Sequence, residues 1–266
     1  MVFENPYSYI KRILIMKTTL KLFLILALFS TCKKSDSGYT NNPGIPDNLH
    51  NRPVGASANE LLSSSKYTSV KVEVQYMTGY QPDAAALNHL QTILTDLVNK
   101  PAGLTIVTKE ISAASNTTLS LDDVIQIEKN NRTAFTSGAQ LALYVLYTNG
   151  NYTDNNVLGV AYKNTSVVLF GKKIQDNSGA IGQASRTKLV ATVAEHELGH
   201  LLGLVDIGSP MQTNHKDAAH GNHCNNTACL MYYASETSDI LGFLVTGNIP
   251  SFDANCLADL HANGGQ

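Results

Sequence analysis

The chain has 266 residues, a formal net charge of −2 and 43% apolar residues, enough for one domain of about 200 residues plus extensions. Its charges are dispersed: no basic stripe marks a nucleic-acid partner and no acidic tail marks a solvating segment. What distinguishes the chain is its local pattern.

Lys17 and Lys21 precede the apolar run Leu22 to Phe29, followed by the small residues Ser30 and Thr31 and then Cys32. A basic start, a short apolar core and small residues describe an export signal, and the run is too short to span a bilayer permanently. Met16 is an alternative start for that signal, because residues 1–15 are atypical before one. Small residues directly before a cysteine resemble a bacterial lipobox, which implies that Cys32 carries lipid and that residues 1–32 are the signal. Residues 33–66, rich in Ser, Asn, Pro and Gly, read as a flexible linker, which leaves 67–266 as the folded domain.

Val70 to Met77 alternates apolar and polar residues and reads as a strand. Pro82-Asp83 opens a helix whose stripe is Leu87, Leu90, Ile93, Leu94, Leu97 and Val98, ending near Pro101. Leu104 to Ile111 is a second strand, and Leu121 to Lys129 a weaker helix. Leu141 to Tyr147 is apolar enough for a strand buried on both faces. Val157 to Tyr162 and Ser166 to Phe170 are two more strands, joined by the turn Lys163-Asn164-Thr165. This order predicts an α+β fold: a twisted mixed sheet with helices packed on it.

The apolar run Lys188 to Ala194 leads into His196-Glu197-x-x-His200-x-x-Gly203. Positions i and i+4 share one helix face, so His196 and His200 can aim at a single zinc ion. Glu197 sits beside them as a general base for a zinc-activated water. Gly199 lies inside the helix, where glycine is roughly 1 kcal/mol worse than alanine, so something must pack close against it. Gly203 falls where a helix ends in a left-handed turn.

This motif, with Met231 in Cys-Leu-Met-Tyr-Tyr downstream, resembles the metzincin clan of zinc peptidases over roughly residues 68–262. The resemblance implies an antiparallel edge strand above a cleft (Val157 to Tyr162), an active-site helix, and a small C-terminal subdomain ending in a helix (Phe252 to His261). It places Met231 in a tight turn beneath the metal and Tyr233 as a candidate for stabilising the oxyanion. The clan's usual third ligand stands three residues after the glycine, here Asp206, as in snapalysin-like peptidases. His223-Cys224-x4-Cys229-x-Met231 instead resembles the archaemetzincin tail, which makes His223 the third ligand; His223 is preferred and Asp206 stays open. His215 and His220 are loop histidines or ligands of a second metal. Archaemetzincins bind a second zinc through four thiolates, including a C-terminal Cys-x-x-Cys; this chain has only Cys256 there. One disulfide among Cys224, Cys229 and Cys256 is expected instead in an exported protein.

The expected function is thus a lipid-anchored zinc metallopeptidase of the bacterial cell envelope, acting on a peptide or protein substrate. The rival is a non-catalytic surface lipoprotein that binds a protein or glycan and keeps a structural metal. Glu197 favours the enzyme, because a structural site has no use for a base beside its ligands.

Overall fold

The structure, a computed structural model, describes residues 47–266. The expected signal, Cys32 and the linker up to residue 46 lie outside the described residues. Among the described residues, no helix is long and apolar enough to cross a membrane.

Two short helices come first, α1 (Asp47–His50) and α2 (Ala58–Leu62). They fall within the span read as linker, yet Leu61 and Leu62 are buried in the main core and His50 is fully buried. The folded unit therefore takes in residues from 47 onward, about twenty earlier than composition suggests. A few well-placed apolar residues were enough to dock a polar segment.

Strand β1 (Ser69–Met77) leads to α3 (Ala84–Leu97), whose first turn is capped by the Asp83 carboxylate accepting from Ala85 N at 2.7 Å. Then come β2 (Leu104–Ile111), the short β3 (Thr118–Leu119) and α4 (Leu121–Asn131), the last opened by a capping box between Ser120 and Asp123. Strand β4 (Gln140–Tyr147) is buried on both faces, as its apolar run predicts. The short β5 (Asn151–Tyr152) pairs with β3 in a separate ribbon. Strands β6 (Gly159–Lys163) and β7 (Ser166–Leu169), helix α5 (Gly171–Asp176) and the long α6 (Arg186–Leu201) follow. The chain ends with α7 (Leu241–Thr246) and α8 (Ala254–Ala262).

The main sheet has the order β2-β1-β4-β7-β6, parallel throughout except for β6, which runs antiparallel to β7 at the edge. Alternation sorts its side chains: Val70, Val72 and Val74 of β1 with Leu141, Leu143 and Val145 of β4 face the large core shared with α3 and α6. Tyr144, Leu146, Val168 and Phe170 face a smaller core that includes Val124 of α4. Strand β6 begins two residues later than expected, because Val157 forms an antiparallel bridge to Thr237 instead.

Helix α6 is buried from Leu189 to Leu201, which explains its near absence of a polar face. The Thr187 hydroxyl donates to Asp83 at 2.7 Å, tying the starts of α6 and α3 together. Immediately before the first motif histidine, Glu195 meets His89 of α3 at 2.5 Å. Burial raises the Glu195 carboxyl to about 7, with His89 opposing it.

Candidate metal centre

His196 and His200 stand one turn apart on α6, and His223 comes to them from the loop before Met231. The ring centroids are 4.8 Å apart for His196 and His200, 5.3 Å for His196 and His223, and 5.2 Å for His200 and His223. Two of the rings are oriented from behind. His196 Nδ1–H donates to the Leu230 carbonyl at 2.7 Å, and His223 Nδ1–H to the His220 carbonyl at 2.6 Å. These bonds fix the tautomer, leaving Nε2 with a lone pair. Both Nε2 atoms are buried and have no hydrogen-bond partner. Buried acceptors without a donor are costly, and a cation between them removes the cost. Together with Glu236, the three histidines offer ligand atoms within 4.8 Å of one another. The donor set, imidazole nitrogens with a carboxylate, suits zinc. Burial, then the neighbouring His196, push His200 well below the usual imidazole range, so it too presents a lone pair.

Glu197 is fully buried beside this cluster. Its Oε2 accepts from Ala161 N of β6 at 2.6 Å, while Oε1 has no partner. Burial raises its pKa well above the usual carboxylate range; the Glu236 charge adds to this and the Ala161 N–H opposes it. The edge strand can come this close because residue 159 is glycine. A Cβ there would lie 2.6 Å from Val193 Cγ1 and 2.9 Å from Glu197 Oε1.

Beneath the histidines, Met231 is fully buried, and its sulfur packs where a side chain on Gly199 would be. That contact is what the glycine inside α6 accommodates. Gly203 has φ +80° and ends the helix in a left-handed turn, with Ser209 N 2.5 Å from where its Cβ would lie. Val205 and Asp206 follow, also at positive φ, 57° and 68°. Asp206 is exposed and faces Lys216 at 3.7 Å; the structure does not bring it to the histidines. The chain instead continues through a loop back to Cys224, whose N donates to Met231 O at 2.8 Å, and this delivers His223. Tyr233 stacks on His220 with centroids 3.7 Å apart, and His220 Nδ1 is held by Asp217 at 2.6 Å.

Glu236 has no counterpart in the sequence reading. It lies five residues past Met231 in a polar stretch with no periodicity, and only the folded chain puts it opposite the histidines.

A second cluster adjoins the Met231 segment, where Met231 N approaches Cys229 Sγ at 3.4 Å. Cys224, Cys229 and Cys256 are buried and unbonded, so the expected disulfide is not formed among the described residues; the sulfurs of Cys229 and Cys256 are 3.6 Å apart. His215 Nδ1 is 3.3 Å from Cys224 Sγ and 4.0 Å from Cys256 Sγ, and its Nε2 is held by buried Asp259 at 2.8 Å. The hydrogen bond from Cys256 lowers the Cys229 thiol to about 7, while burial pushes Cys224 up to about 12. His215, Cys224, Asp253 and Cys256 have ligand atoms close enough to share a metal ion. Thus His215 joins the cysteines, and His220 does not.

No family model and no curated protein matches the chain. Among solved structures, it is similar to archaemetzincin from Methanopyrus kandleri at 13% identity, with a TM-score of 0.48, over 74% of this chain and 96% of that one.

Proposed function

We propose that this chain is a zinc-dependent metallopeptidase with His196, His200 and His223 as the protein ligands of its metal and Glu197 as the general base. One observation carries the reading: two buried, unpartnered Nε2 atoms converge with a third imidazole beside a buried carboxylate that keeps one oxygen free. A bound zinc supplies Lewis-acid polarisation of a carbonyl and makes water more acidic.

The chain's own residues do the rest. The Ala161 N–H holds Glu197 Oε2, so Oε1 is the atom that takes a proton from water and returns it to the leaving amine. Burial, which raises its pKa above the usual carboxylate range, makes it a stronger base than an exposed carboxylate. Among the described strands, β6 pairs only with β7 and borders the site, which supports a substrate that lies extended along it, recognised through backbone hydrogen bonds. Tyr233 is retained as the oxyanion candidate, with its ring steadied by His220. The second cluster, His215 with Cys224, Asp253 and Cys256, is read as a structural metal site that pins the Met231 turn. Lipidation at Cys32 would place the enzyme on the bacterial envelope.

Glu197→Gln tests the activity. Zinc content should match wild type, and cleavage of a broad peptide library should fall on the order of 10² to 10⁴-fold. Equal cleavage by both proteins would remove Glu197 as the base. No cleavage by zinc-loaded wild type would shift the reading to a binding lipoprotein. For the anchor, Cys32→Ala should move the protein from the membrane to the soluble fraction; unchanged membrane association would refute lipidation there.

A further inference from the structure

Glu236 stands among the three imidazoles at the spacing of a ligand, not of a hydrogen-bond partner. Its Oε1 is 3.3 Å from His223 Nε2, and its Oε2 is 3.6 Å from His196 Nε2 and 3.9 Å from His200 Nε2. Ligand atoms on a tetrahedral zinc are separated by roughly 3.4 Å, whereas N–H···O hydrogen bonds cluster at about 2.9 Å. Because His196 and His223 give their Nδ1–H groups to carbonyls, their Nε2 lone pairs face the carboxylate's lone pairs. Acceptors turned towards acceptors need a cation between them: one proton on His223 would serve only its own 3.3 Å contact, whereas a metal ion serves all three Nε2 atoms. Protonating the whole ring set is no substitute, since three imidazoliums with centroids about 5 Å apart repel one another.

The position of Glu236 is built into the backbone. Its carbonyl accepts from Leu158 N at 2.7 Å, Thr237 bridges Val157, and Ser238 N donates to Asn156 O at 2.9 Å. The residue is thus bound to the chain that leads into the edge strand. Its side chain remains 24% exposed, against 0% for that of His196. A carboxylate on a short turn with one side open to solvent can swing out, while a buried imidazole on α6 cannot.

We propose that Glu236 is a fourth, displaceable protein ligand, which closes the metal's coordination sphere in the substrate-free protein and must leave before a substrate carbonyl can bind. The proposal rests on the reading of the three histidines as a metal centre. It makes the resting protein a latched form, with the latch attached to the strand along which substrate would lie.

The test is titration of the full chain, loaded with Co²⁺, with acetohydroxamate, read by the change in visible absorption. A latch that holds nine-tenths or more of the molecules weakens apparent affinity about tenfold or more. Glu236→Ala and the shape-conserving Glu236→Gln should therefore bind the hydroxamate about tenfold more tightly than wild type. Equal affinity in all three proteins would overturn the latch while leaving the metal centre standing. His196→Ala separates the two readings: its response should vanish. A response that persists there lies at another site and would overturn the metal-centre assignment, and Glu236 with it.

Discussion

Gly159 leaves no room for a side chain, and that restriction serves chemistry more than folding. It is not at positive φ, so alanine meets no backbone strain. What it meets is Val193 on one side and the free oxygen of Glu197 on the other. Gly159→Ala should force the edge strand or the carboxylate to shift, at about 1–3 kcal/mol. The Ala161 N–H that steadies Glu197 would move with it. Misplacing a catalytic group by an ångström costs up to about 10² in rate. Peptide hydrolysis should therefore fall by at least about tenfold with zinc content unchanged, because the histidines belong to other segments. Full activity in this variant, measured beside zinc content, would show that close contact with β6 does not position Glu197.

At the scale of elements, the strands and helices whose burial follows a simple period were legible in the sequence. Strands β1, β2, β4 and β7 and helices α3, α4 and α6 lie where alternation or a 3.6-residue stripe places them. His196, Glu197 and His200 were legible for the same reason, since a single helix fixes their mutual placement. What resisted reading depends on loops. His223 was preferred only through the resemblance of its His-Cys-x4-Cys-x-Met tail, with Asp206 left open, because its place depends on Cys224 pairing with Met231; Glu236 was missed altogether, because it reaches the site through Thr237 pairing with Val157, which leaves no local pattern. Counting cysteines pointed to a disulfide, because the count could not see His215 arriving beside them with Asp259 behind it. The C-terminal elements are short and joined by long loops, so a cross-link there has much to hold. If it is a metal, the full chain should carry about two zinc ions. His196→Ala/His200→Ala should keep one, and His215→Ala should lose the other along with thermal stability. Metal analysis showing a single zinc in wild type, lost completely with His196 and His200, would rule out the second centre.

At the largest scale, the described residues 47–266 are fastened near their start by a buried histidine. His50 accepts from Thr136 N at Nε2, 3.1 Å away, and its Nδ1 lies 2.8 Å from the Thr165 hydroxyl and 3.0 Å from Arg132 Nη2. Arg132 in turn pairs with buried Glu128, which Lys163 also approaches. The ring thus links α1 to the end of α4 and to the turn between β6 and β7. A proton on Nε2 would face the Thr136 N–H, and the resulting cation would lie against Arg132. Burial first, and Arg132 next, lower the His50 pKa from 6.5 to about 3. The sign of the linkage follows: between these values the unfolded chain holds a proton that the folded chain does not. Unfolding then takes up a proton, and stability falls as pH falls through the window, at up to about 1.4 kcal/mol per pH unit. Between pH 6.5 and 5 that amounts to about 1.6 kcal/mol, because the slope is only half its maximum at pH 6.5. His50→Gln keeps a polar side chain without the titration, so its stability should decline less steeply over this range. Denaturant unfolding of both proteins from pH 7 to 5, at the same excess of zinc, makes the comparison, because metal linkage is then shared. Parallel pH profiles would mean that His50 is free to protonate where it sits, and that the first helix is held less firmly than its burial implies.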